Sequence, residues 1–149
     1  MEINKSSYYL PSEWQQQVAV QLTWPHANTD WAPYLEDIVR MEVRMANEIT
    51  KREDLIIVTP EKEALGKFLS TQLTEQQLKR VKIVEMPTDD TWARDHGAIT
   101  LLPRQENEER PRKTILLDFC YNGWGKKIPA DNDHRISWHL QCSGVFYDY

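Results

Sequence analysis

Apolar positions along the chain fall into two periods. Val18, Val20 and Leu22 alternate with Ala19, Gln21 and Thr23, the repeat of a strand that ends at Trp24-Pro25. Leu35, Ile38, Met41, Met45 and Ile49 then recur at three and four residues, which predicts a helix to about Thr50 with this stripe inward. Met41 and Met45 continue the stripe and are read as core. Asp30 is placed as the cap and Pro33 in the first turn. The unbroken run Leu55-Ile56-Ile57-Val58 predicts a buried strand, and Thr59-Pro60-Glu61 opens a helix whose inner face is Ala64, Leu65, Phe68 and Leu69. Thr74 and Gln77 have the spacing of a capping box, flanked by Leu73 and Leu78 as a staple, so a short helix starts there. Strands follow at 81–86 and 98–102. Residues 103–113 read as a solvated loop or hairpin tip, Thr114–Phe119 as a strand, 122–125 as a turn, 131–142 as a helix, and Val145–Tyr149 as a strand start. Residues 1–13 read as an irregular leader.

Between the strands at 81–86 and 98–102 lies Pro87-Thr88-Asp89-Asp90-Thr91-Trp92-Ala93-Arg94-Asp95-His96-Gly97. A charged loop slung between two core strands is where rigid scaffolds place functional side chains. Trp92 and Asp95 are three apart, so a tight or helical turn sets them on one side. A carboxylate beside an indole suits a flat cation, the carboxylate accepting two parallel N–H bonds while the ring stacks on it. The same residues also read as an internal ion-pair network that merely ties the loop together. On charge alone Arg94 belongs with Asp89 or Asp90, because facing a pocket it would repel a cation.

Composition narrows the partners. The formal net charge of −5 over 149 residues, with no basic cluster beyond pairs such as Lys126-Lys127, argues against nucleic acid. No apolar run reaches membrane-spanning length, and no apolar segment follows Met1-Glu2-Ile3-Asn4-Lys5 to make a secretory signal. Two cysteines make no disulfide framework, and a cytoplasmic location is expected. Cys120 in a strand pattern and Cys142 near a helix end are read as inert thiols. The four histidines lack ligand spacing with either, so no metal is expected. Trp92 and Trp124 sit among polar and Gly residues, where an indole lines a pocket.

The loop Pro87–Gly97 resembles the signature of agmatine deiminases and the related bacterial peptidylarginine deiminases. Leu10-Pro11-Ser12-Glu13-Trp14, Val18–His26 and Phe119-Cys120-Tyr121-Asn122-Gly123-Trp124-Gly125 are similar to other segments of that family, in the same order. The resemblance implies an α+β fold of the pentein type, a ring of ββαβ units with pseudo-fivefold symmetry, of which residues 1–149 supply the first units as the N-terminal portion of one catalytic domain. It implies hydrolysis of a guanidinium without a cofactor: agmatine to N-carbamoylputrescine and ammonia, for putrescine and polyamine synthesis. Protein-bound or free arginine is the alternative substrate, and a non-enzymatic guanidinium- or polyamine-binding module the alternative class. Asp95 matches the family's guanidinium-binding Asp and Trp92 its pocket Trp. Asp90 is the further candidate for substrate contact, while Asp89 reads as structural. His96 is not the family's catalytic His and reads as a loop residue. The family's His-x-Asp segment and its nucleophilic Cys have no match here, so a missing C-terminal half, or a second copy of the chain, is the expected partner.

Overall fold

The computed structural model of the chain describes residues 7–104 and 113–148. In chain order its strands are β1 (Tyr8–Tyr9), β2 (Ala19–Thr23), β3 (Asp54–Thr59), β4 (Val81–Glu85), β5 (Ile99–Pro103) and β6 (Ile115–Leu117). Its helices are α1 (Leu35–Thr50), α2 (Lys62–Ser70), α3 (Glu75–Leu78), α4 (Ala93–His96), α5 (Gly123–Lys126) and α6 (Ile136–Cys142), with 3-10 turns among them. Two compact units result. One joins Gln17–Gly97 to the residues from Cys120 on, and the other joins the residues up to Gln16 to Ala98–Phe119.

The larger unit is built on the parallel sheet β2-β3-β4. Its central strand β3 is apolar on both faces, as a parallel strand covered on both sides must be. Leu55 and Ile57 pack with Trp24, Ala46, Leu65, Leu69 and Leu73 on the α1/α2 side. Ile56 and Val58 pack with Val84, Met86, Ile136, Leu140 and Val145 on the α6 side. Each Leu, Ile, Val or Met among them contributes about 1.5–3 kcal/mol by leaving water. The capping box is as expected: Thr74 Oγ1 accepts from Gln77 N–H, and the Gln77 side chain accepts from Thr74 N–H.

Several expectations need correction. The inner row of α1 is Ile38, Glu42, Ala46 and Thr50, flanked by Val39, Val43 and Ile49, while Met41 is 46% exposed. Two polar residues disguised that face. Burial pushes the Glu42 carboxyl up to about 7, and the Thr50 hydroxyl donates to Ala46 C=O at 2.6 Å. Asp30 does not cap. The first turn, Ala32–Tyr34, follows Trp31, whose N–H is taken by Thr29 Oγ1. Pro60 stands outside α2, two residues before its first. Val145–Asp148 is a 3-10 turn instead of a strand, because Val145 is drawn onto the α6 side of the sheet with Phe146 packed beside it.

The smaller unit is the antiparallel sheet β1-β5-β6. Tyr8 and Tyr9, read as irregular leader, pair with Pro103 and Leu102. Arg104 lies 5.7 Å over the Tyr9 ring, and its N–H donates to Ser7 C=O. The expected solvated loop at 103–113 falls mostly outside the described residues.

Candidate functional site

Beyond β4 the chain is tied first to β3 by Met86 N–H donating to Thr59 C=O. It then enters a segment with few apolar side chains, which must be held by hydrogen bonds. Thr88 is buried and meets His26 Nε2 at 3.0 Å. Asn28 N–H donates to His26 Nδ1, so Nε2 carries the ring proton and donates to the Thr88 hydroxyl. Next comes a reciprocal clamp with a dipeptide more than forty residues away. Asp133, fully buried, accepts Asp89 N–H at 2.8 Å on one oxygen and Asp90 N–H at 3.0 Å on the other. Asp89 in return accepts Asn132 N–H and Asn132 Nδ2–H, both at 2.7 Å. Burial pushes the Asp133 carboxyl up to about 6; the two N–H groups pull it back, and the carboxylates of Asp89 and Asp90 push with burial.

Asp90 is buried too. Oδ1 accepts Thr91 N–H at 2.7 Å and Oδ2 accepts the Trp92 indole N–H at 3.1 Å. Both oxygens of this substrate-contact candidate are therefore engaged within the loop. Trp31 donates its indole N–H to Thr91 Oγ1. Trp92 stands at the centre of three indoles, 5.9 Å from Trp31 and 5.4 Å from Trp124. Trp124 is presented by a left-handed turn: its φ is 54°, and Asn122 Oδ1 accepts Gly125 N–H. Only glycine serves at 123, where φ is +61° and a Cβ would stand 2.1 Å from Ile128 O.

Trp92 precedes α4, and its carbonyl accepts the N–H of Asp95 at 2.9 Å. The turn expected from the spacing is thus formed. Asp95, Arg94 and Trp92 are exposed on it. His96 is the correction. Instead of a loop residue it is the buried peg of the turn, 2% exposed, with Nε2 3.2 Å from Thr23 Oγ1 and its carbonyl accepting from Ser137. Burial pushes its imidazole down to about 4, although the Asp95 carboxylate beside it favours the charged form. The ring lies 6.4 Å from Tyr121. Burial first, then Asp95, Asp133 and Asp90, push the Tyr121 hydroxyl above its usual value. Gly97 ends the turn because a Cβ there would meet Ala93 O at 2.6 Å.

Asn132, Asp133, His26, Trp31 and Tyr121 were not singled out from the sequence. An Asn-Asp pair before a helix reads as a cap, and no local signal reports a partner so distant. Cys120 and Cys142 are both exposed thiols. Among the described residues no helix is long and apolar enough to cross a membrane.

An exposed carboxylate and an exposed indole on one rigid turn, at the end of a parallel sheet, can hold a flat organic cation. The α+β scaffold that carries them is that of the guanidinium-modifying deiminases with the pentein fold, as comparison with solved structures shows. Over 89% of this chain the structure superposes on a C. jejuni agmatine deiminase with substrate bound, at a TM-score of 0.74 and 26% identity, covering 36% of that chain. An assigned arginine deiminase of Porphyromonas gingivalis is 38% identical over 92% of this chain and 37% of its own, at a TM-score of 0.73. Among curated sequences, an assigned agmatine deiminase of Mycoplasma mycoides is 26% identical over 89% of this chain and 35% of its own length. The model of the Porphyromonas-type peptidyl-arginine deiminase family matches residues 9–146, and the chain belongs to that family. It spans little more than a third of the length of these relatives.

Proposed function

We propose that these residues form the guanidinium-holding part of a deiminase that acts on agmatine. The observation that carries the reading is the exposed Asp95 and Trp92 on a turn held from behind by the buried Asp90, His96 and Asp133. Asp95 accepts the guanidinium N–H groups, Trp92 supplies the stacking face, and Asp90 serves the substrate by holding the Trp92 indole. Agmatine is favoured over arginine by the relatives, among which agmatine deiminases recur, one of them a Cys-to-Ser variant with substrate bound.

The chemistry follows from an electrophilic carbon that bears three nitrogens. A thiolate adds to the guanidinium carbon, and ammonia departs with a proton from a general acid. Water then adds to the thiouronium carbon, N-carbamoylputrescine leaves, and the thiolate is restored. No step requires a cofactor. Asp95 holds the guanidinium through both steps, and the nucleophile and general base come from outside these residues, by a C-terminal portion of the domain or another chain. The product N-carbamoylputrescine would then be a precursor of putrescine, and a cytoplasmic site of action is part of the same proposal.

Ammonia release from agmatine, assayed with these 149 residues and with the protein including any sequence encoded after Tyr149, tests the proposal. The expected result is turnover only when the further segment is present, and its loss in Asp95→Asn. Robust turnover by the 149 residues alone would make Cys120 or Cys142 the nucleophile, and replacing each by Ser would show which. Agmatine binding without turnover in either form would favour a binding module.

A further inference from the structure

The clamp between 89–90 and 132–133 does more than close a loop. Asp133 takes the N–H of Asp90, Asp90 Oδ2 takes the indole N–H of Trp92, and the Trp92 carbonyl takes the N–H of Asp95. Three successive hydrogen bonds thus lead from a fully buried carboxylate to the two exposed side chains of the candidate site. We propose that Asn132 and Asp133 are positioning residues: they set the orientation of the Trp92 indole and the standing of Asp95 without reaching a ligand themselves.

The geometry favours this over a mere tie. Two consecutive backbone N–H groups facing one carboxylate fix the direction of the peptide between them, which a single bond leaves able to swing. The return pair, from Asn132 N–H and Nδ2–H to the two oxygens of Asp89, holds the Asp89 side chain against the same segment. Asp90 consequently has one way to point, and it is buried where solvent cannot compete for Trp92. The consequence for a ligand rests on the guanidinium reading above; the consequence for Trp92 does not.

The decisive readout is therefore taken without ligand: the resonance of the Trp92 indole N–H and its rate of exchange with solvent. Asp133→Asn keeps the shape and one oxygen but sets an amide NH2 against one of the two N–H donors. It should move that resonance and speed its exchange by roughly tenfold or more. Asn132→Ala, which removes one donor and leaves the backbone bond, should act in the same direction and less, and decides the matter if Asp133→Asn does not fold. Leu140→Ala, a packing loss on the adjacent helix, should leave the indole signal unchanged even though it destabilises the fold. Agmatine affinity should fall with the indole signal in the first two variants and hold in the third. Folded Asp133→Asn and Asn132→Ala proteins whose indole exchanges as in the parent would overturn the positioning role. A parent that does not bind agmatine would overturn the guanidinium reading alone, because the indole measurement still decides the other.

Discussion

The two halves of the loop between β4 and β5 have similar composition and opposite fates. Thr88, Asp89, Asp90 and Thr91 turn inward and spend their polar atoms on His26, Asn132, Asp133, Trp31 and one another. Trp92, Arg94 and Asp95 turn outward, on a turn held from behind by His96. The Asp89 and Asp90 carboxylates have both oxygens engaged within the protein. An exposed carboxylate on a rigid support keeps capacity for a ligand, and that is the arrangement expected of preorganised binding. The comparison yields measurable contrasts.

The largest concerns pH. Asp133 is raised from 3.8 to about 6, so its stabilising contribution is full below 3.8 and lost as pH rises through about 6. His96 is lowered from 6.5 to about 4, so its contribution is full above 6.5 and lost as pH falls through about 4. The two oppose each other across the same window, and removing either should unmask the other. Relative to the parent, His96→Gln should gain stability on acidification from 6.5 to 4, and Asp133→Asn should lose it from 6 to 3.8. Each should do so by about 1.4 kcal/mol per pH unit at most. Glu42, raised to about 7, is present in all three proteins and cancels from the differences. Urea unfolding at half-unit pH steps is the measurement; parallel curves for all three proteins would show that neither group is buried as described.

Neighbouring residues give the next contrast. His96→Ala should cost about 2–3 kcal/mol, since it empties a filled interior position, whereas Asp95→Ala should stay within about 0.5 kcal/mol. Equal losses would erase the distinction between peg and site. Smaller again, Thr88→Val should cost about 1 kcal/mol by leaving the His26 N–H without its acceptor. Trp92→Phe should cost about as much, because Asp90 Oδ2 loses its indole donor, and should also weaken cation binding, because only a reduced π-face remains.

Much of the outward half was legible in the sequence. The spacing of Trp92 and Asp95 announced a turn, and the resemblance of Pro87–Gly97 to a deiminase signature pointed to the cation. The core strands β3 and β4 were equally plain from their apolar runs. The inward half was not legible, because its partners are distant in sequence and polar. Nothing local to Asn132-Asp133 says that it will face Asp89-Asp90. His96 failed for a related reason: an imidazole between an Asp and a Gly looks solvated until Thr23 and Ser137 are seen around it. In α1 the inner face carried Glu42 and Thr50, so a search for apolar spacing settled on Met41 and Met45 instead. Val145–Asp148 alternates like a strand, but packing at the sheet's α6 face decided otherwise.

The central claim is that the outward half binds a guanidinium through Asp95 while the inward half only holds it in place. Calorimetric titration of agmatine into the parent and into Asp95→Asn tests it most directly, with unfolding curves taken on the same samples. The account expects saturable binding by the parent, a loss of roughly tenfold or more in affinity for Asp95→Asn, and superimposable unfolding curves. Equal affinity in the two proteins would contradict it.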